Sequence, residues 1–262
     1  VRKIKENVFQ YPVVNGPVPF KSKISKSLMT IKNLTDSSAD LYIYGEIVDN
    51  SEWKWDESDV MPNDVKDALE KVDGLETLNI YINSPGGSIF SGLAIYNMLK
   101  RNTSKKIVHI DGVAASMASV IALVGDEIYM PSNAFMMIHK PLTGLWGNAD
   151  DLRKVADSLD TIQGGLMKSY EENLRDGVDI KEVEEMVNRE TWLDAEAATK
   201  YFNIELTEPQ QIVASAKHLL GEYKNVPKSL LKEVPKVAKV PNRAHDNFDK
   251  IKFQNELDLL NL

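Results

Sequence analysis

The 262-residue chain contains no cysteine. That absence removes disulfides, thiolate nucleophiles and cysteine-bearing metal sites together. No apolar run is long enough to cross a bilayer; the longest, Ala114–Gly125, is interrupted by serine. The stretch VRKIKENVFQYPVVNG lacks the apolar centre of a secretory signal, so a cytoplasmic location is expected, with no membrane partner. A surplus of positive charge is missing as well. The formal net charge of -8 argues against nucleic acid as a partner, because phosphate contacts need lysine and arginine in excess. Histidine is scarce, at four residues, and nothing clusters as metal ligands, so no cofactor or metal is expected. No fixed-period repeat is visible.

What is present reads as three parts: an N-terminal arm over residues 1–39, a body over 40–208, and a basic helical extension over 209–262. From Val213 to Lys252 nine Lys/Arg face four Asp/Glu, whereas Ala149–Thr207 is strongly acidic. The extension, punctuated by Pro227, Pro235 and Pro241, has the composition of an appendage or linker. Its plainest reading is a solvated end; binding a partner or being cleaved off are the others. The arm holds one strand candidate, Leu28–Ile31. In the body, Leu41–Val48 (LYIYGEIV) is β-branched and aromatic and predicts a strand. Asp49–Asp64 predicts a loop and Val65–Val72 a helix. Leu78–Asn83 (LNIYIN) predicts a buried parallel strand, broken by Ser84–Ser88. An amphipathic helix over Ile89–Lys100 follows, then a strand over Lys106–Ile110 ending at Asp111–Gly112. Ala114–Val124 predicts a buried helix, and Glu127–Met130 and Ala134–His139 predict strands. A long helix is expected over Asn148–Asp176, shorter ones over Ile180–Asn188 and Asp194–Tyr201, and a last strand over Ile204–Leu206. This alternation predicts an α/β domain with a largely parallel sheet.

Chemistry can be sought through the histidines. His109 lies inside the strand KIVHID, and His218 and His245 lie in the basic extension. His139 stands at the C-terminal edge of a strand, where parallel α/β sheets gather their active groups. A hydroxyl nucleophile needs such a base beside it, and paired N–H donors for the oxyanion. Ser116, in GVAASMAS, follows a strand and opens a buried helix whose first N–H groups have no intrahelical acceptor. The plain alternative is a helix packed closely on the sheet through small residues. Gly86 and Gly87 can expose main-chain N–H groups without side chains in the way. Their plain alternative is a tight strand-to-helix turn. SPGG lacks both the Lys-Ser/Thr ending of a P-loop and the GxGxxG spacing, so phosphate binding is not indicated.

In order, YINSPGGS, GVAASMAS and FMMIHKP closely resemble the signature of the ClpP-type serine peptidases, and the likeness runs from about Leu41 to Leu206. The resemblance implies Ser116 as nucleophile, His139 as general base, and the Gly87 and Met117 N–H groups as the oxyanion hole. It implies a ClpP/crotonase-like spiral of β-β-α units, with Asn148–Asp176 as the long handle helix that pairs rings of subunits. It also implies a polypeptide substrate and a homo-oligomeric ring. The family's third member is an Asp in a block like RDRFLSA; here RETWLDA (Arg189–Ala195) puts Glu190 at that position. Asp194 competes, although it also suits a helix cap, and a site with no completing carboxylate is the third option.

The arm, the loop at 49–64 and the basic extension depart from the housekeeping pattern. They are similar to the ClpP-like peptidases of phage head assembly, which implies processing of capsid or scaffold protein during prohead maturation, in the host cytoplasm. The alternative is a housekeeping-type proteolytic subunit served by a separate ATP-dependent unfoldase, since the chain has no ATP-binding loop. Two rivals on the same fold are a crotonase-type acyl-CoA enzyme and a non-catalytic assembly protein.

Overall fold

The structure is a computed structural model that describes residues 31–54, 56, 58–210, 220 and 223–231. It is mixed α/β. In chain order the elements are β1 (Ile31–Lys32), β2 (Ser38–Ile47), a 3-10 turn (Ser51–Trp53), α1 (Pro62–Lys71), β3 (Thr77–Gly87), α2 (Ile89–Arg101), β4 (Lys105–Ala115), α3 (Met117–Ala122), β5 (Glu127–Pro131) and β6 (Phe135–Ile138). Then come α4 (Ala149–Glu171), α5 (Ile180–Asn188), β7 (Thr191–Asp194), α6 (Ala195–Tyr201), β8 (Glu205–Thr207) and α7 (Lys228–Leu231). The sheet order is β1-β2-β3-β4-β5-β8, with β6 on β4 and β7 on β6. All pairings are parallel except those made by β1 and β7.

The strands bury one face rather than two. Leu41, Ile43, Leu78, Ile80, Ile82, Val108 and Ile110 are essentially inaccessible and share a core with α1, α2 and α3. Each such side chain contributes about 1.5–3 kcal/mol relative to exposure. The alternate positions carry an aromatic row across the other face. Tyr42, Tyr81, His109 and Tyr129 stack in sequence at 4.7, 4.8 and 5.5 Å between ring centroids. So the expectation that LNIYIN is buried on both sides fails at Tyr81, and His109 is accounted for as a member of this row.

Three further corrections bear on the site. SPGG does not break its strand: β3 runs on to Gly87, because Glu46 and Ile47 of β2 pair with Gly86 and Gly87. The strand expected at Lys106–Ile110 likewise continues to Ala115, and the helix expected over Ala114–Val124 shrinks to Met117–Ala122. The reason is that β4 has two partners in succession. Its first half pairs with β5 (Ile107↔Glu127 to His109↔Tyr129), and its second half with β6 (Val113↔Phe135 to Ala115↔Met137). Small residues at Gly112, Ala114 and Ala115 fit a buried strand there as well as they fit a helix, so the alternation was masked. Thr191–Asp194, for which no strand was expected, is β7 and closes antiparallel on β6. The loop expected at 49–64 holds the 3-10 turn, and its end is the start of α1 at Pro62. The strand candidate Leu28–Ile31 lies mostly outside the described residues.

The handle helix is shorter than Asn148–Asp176, with Asn148 as its cap. The Asn148 side chain accepts from the N–H groups of Asp150 and Asp151 while Asp151 accepts from the Asn148 N–H. The described buried residues of α4 begin only at Gln163. Its first half, and the loop before it with Leu142 and Trp146, stand in solvent; Trp146 is 91% exposed.

Candidate active site

The fork in β4 brings the nucleophile candidate to the base. Ala115 is in register with Met137, and the next N–H, that of Ser116, donates to Met137 O at 2.9 Å. Ser116 therefore sits beside the end of β6, one residue short of His139. The outcome is direct contact between Ser116 Oγ and His139 Nε2, at 2.7 Å. A neutral imidazole in that position can take the hydroxyl proton. Burial holds the His139 pKa below its ordinary 6.5, while the nearby negative charge of Glu190 pushes it back up. The imidazole is thus predominantly the free base at neutral pH.

Ser116 is held in an unusual backbone state, φ 54° and ψ -125°, as the cap of α3. A non-glycine residue rarely adopts positive φ, and three described residues do so: Asn33, Ser116 and Glu190. Two of the three belong to the candidate triad, as expected where strain is stored at working positions. Gly86 makes the turn at Ser116 feasible. A Cβ on Gly86 would lie 2.6 Å from Ala115 O, 2.8 Å from Ser116 Cβ and 3.0 Å from Met117 N. The glycine turn is therefore packed against both Ser116 and the first N–H of α3. Gly87 lines the same cleft. The Met117 N–H lies in the first helical turn, where no intrahelical acceptor is available.

The cleft has a volume of about 280 Å³ and is lined by Ser116 and His139 together with Pro85, Ile89 and Leu142. Of the two carboxylates weighed for the third position, Asp194 caps α6, its Oδ1 accepting from Ala197 N at 2.8 Å. Glu190 is the one electrostatically coupled to His139. Its hydrogen bond is not to the imidazole, however. Glu190 Oε1 accepts from the Asn225 N–H at 2.8 Å.

Asn225 and its neighbour Tyr223 are the site residues that sequence reasoning missed. Reading the extension as a solvated end fails for this stretch. Leu220 is 5% exposed, in a cluster with Val113, Ala115 and Met137 against which Tyr223, Val226 and Leu230 pack. Tyr223 lines the cleft, stands edge-on to the His139 ring at 5.4 Å, and donates its hydroxyl to Pro85 O at 2.7 Å. The apolar residues Leu220, Tyr223 and Val226 were the only available signal, spaced among lysines. His218 and His245 lie outside the described residues.

A parallel α/β sheet ending in a strained serine, with a histidine in hydrogen-bond contact, is the constellation of a serine-type acyl-transfer centre. The chain belongs to the Clp protease family, whose sequence model matches residues 32–205. ATP-dependent Clp protease proteolytic subunit 1 of Salinibacter ruber is 35% identical over 136 residues, 51% of this chain and 57% of that protein. The corresponding subunit of Streptococcus mutans is 34% identical over 137 residues, 51% of this chain and 69% of its own length. That of Bacteroides fragilis is 32% identical over 135 residues, 51% of this chain and 64% of its own length. The match thus covers less than two thirds of the Salinibacter and Bacteroides proteins. Among the described residues no helix is long and apolar enough to cross a membrane.

Proposed function

We propose that this chain is a serine endopeptidase that cleaves polypeptides through an acyl-enzyme on Ser116. The observation that carries this reading is the 2.7 Å contact between Ser116 Oγ and His139 Nε2 at a positive-φ turn. Ser116 Oγ attacks the peptide carbonyl as its proton passes to His139 Nε2. The Gly87 and Met117 N–H groups receive the oxyanion. Collapse of the tetrahedral intermediate breaks the C–N bond, and the imidazolium protonates the leaving amine. Water, deprotonated by His139, then releases the acyl group. Through both steps Glu190 stabilises the imidazolium by its charge rather than by a direct hydrogen bond.

The relatives' names, proteolytic subunits of an ATP-dependent protease, favour a chain that works with a separate ATP-driven partner. Trp146 and Leu152, which are 91% and 49% exposed just before and within the long helix, suit the pairing of homo-oligomeric rings through that helix. The narrower role, processing of capsid or scaffold protein by a phage-type enzyme, draws its support from the departures at the arm, the 49–64 loop and the extension. Incubating wild type and Ser116→Ala with casein and with candidate assembly proteins, and mapping fragments by mass, tests both levels. Fragments from wild type alone are expected. Equal cleavage by Ser116→Ala would refute the peptidase reading, and no cleavage of any protein by wild type would favour an assembly role.

A further inference from the structure

The segment after residue 209 reaches the candidate site at three separate points. Tyr223 bonds to the glycine turn through Pro85 O and packs its ring against His139. Asn225 meets the third position from two sides: its main-chain N–H holds Glu190 Oε1 at 2.8 Å, and its side-chain Nδ2 donates to Arg189 O at 3.2 Å and to Glu190 O at 3.1 Å. Leu220 and Val226 fix this stretch on an apolar cluster that includes Ala115 and Met137, the two residues whose pairing sets the Ser116–His139 contact. One short segment thus ties together the nucleophile turn, the base and the carboxylate.

The need for such a tie follows from Glu190 itself. Its φ of 53° is a conformation that a glutamate does not choose unaided. Its side chain has one more methylene than the aspartate for which it stands, hence one more rotor to immobilise. It makes no hydrogen bond to His139, so its usefulness depends on where its charge rests. A half-buried carboxylate without a fixed donor would turn to water and away from the imidazole. Asn225 supplies the fixed donor, and its amide also satisfies the two carbonyls of the strained turn.

We propose that Asn225 is a positioning residue: it holds the Glu190 carboxylate beside His139, and Leu220, Tyr223, Asn225 and Val226 form a built-in wall of the active site rather than an appendage. This rests on the peptidase reading above. Asn225 touches no reacting atom, so its effect has to pass through Glu190.

The test is a double-mutant cycle on the full-length chain, read as the rate at which a fluorophosphonate probe acylates Ser116. Asn225→Ala keeps the main-chain N–H but loses both side-chain bonds that fix it on the Arg189–Glu190 turn, and it is expected to slow labelling by about tenfold as the donor to Glu190 loses its place. In a Glu190→Gln background the same substitution should change the rate by less than about twofold, because the group it positions is already neutral. An equal loss in both backgrounds would assign Asn225 a merely structural role and overturn the inference. Faster labelling of Asn225→Ala would overturn it too, by making the segment an inhibitor. Should the alanine variant fold poorly, Asn225→Leu, which is close in shape and uncharged but lacks the side-chain amide donor, reads the same cycle. Absence of Ser116 labelling in the unaltered chain overturns the peptidase reading and this one together; labelling that Asn225→Ala leaves unchanged overturns this one alone.

Discussion

The two sides of the His139 ring are built by different means. On the Ser116 side everything is strand register: β4 forks from β5 to β6, Ala115 aligns with Met137, and the 2.7 Å contact follows within two residues. Atoms around it are packed so closely that Gly86 has no room for a methyl group. On the Glu190 side the carboxylate sits at the edge of a four-residue antiparallel strand and is held by a residue 35 positions further along. The first side is rigid because the sheet makes it so. The second rests on three hydrogen bonds from Asn225, and its geometry depends on a segment outside the span matched by the Clp protease family. A site of this kind should lose function steeply when the register side is touched and gradually when the carboxylate side is touched.

That contrast can be broken or sharpened by substitution. Ser116→Ala removes the proposed nucleophile, and peptide hydrolysis should fall on the order of 10⁶-fold while the melting profile stays in place. Gly86→Ala should be next in severity. Its φ of +95° and the 2.6 Å approach to Ala115 O predict a loss of about 3 kcal/mol in urea unfolding, with activity lost as the Ser116 turn shifts. Glu190→Gln should slow acylation by about ten- to a hundredfold, well short of the Ser116 effect, because only charge stabilisation of the imidazolium is lost. If it equals Ser116→Ala, the two sides are not as unlike as the structure makes them. Smallest is Asp194→Ala, which removes the α6 cap: stability should drop by about 1 kcal/mol, with turnover within about twofold of wild type. A collapse of turnover there would return Asp194 to the triad.

Legibility from sequence divides along the same line. Ser116 and His139 were readable because each lies at a strand end within a short patterned block, and parallel sheets converge such ends. The bounds of β3 and β4 were misjudged because glycine and alanine serve a buried strand and a helix equally. β7 escaped because four residues between two helices carry too little alternation to register. Glu190 was readable only as a position in a resemblance, and nothing in RETWLDA reveals that its partner is Asn225. Contacts across 35 residues, in a segment whose lysines mask three apolar anchors, leave no local periodicity to read.

The central claim is that His139 activates Ser116, and the pH dependence of Ser116 acylation tests it most directly. The base must be neutral to act, and burial holds its pKa below 6.5 with Glu190 as the opposing influence. The rate of fluorophosphonate modification, with the site mapped by mass, should therefore rise with pH through a midpoint below 6.5. That midpoint should move lower still in Glu190→Gln, and labelling should be lost in His139→Ala. Labelling at Ser116 that survives His139→Ala unchanged, or modification at a different residue, would contradict the account.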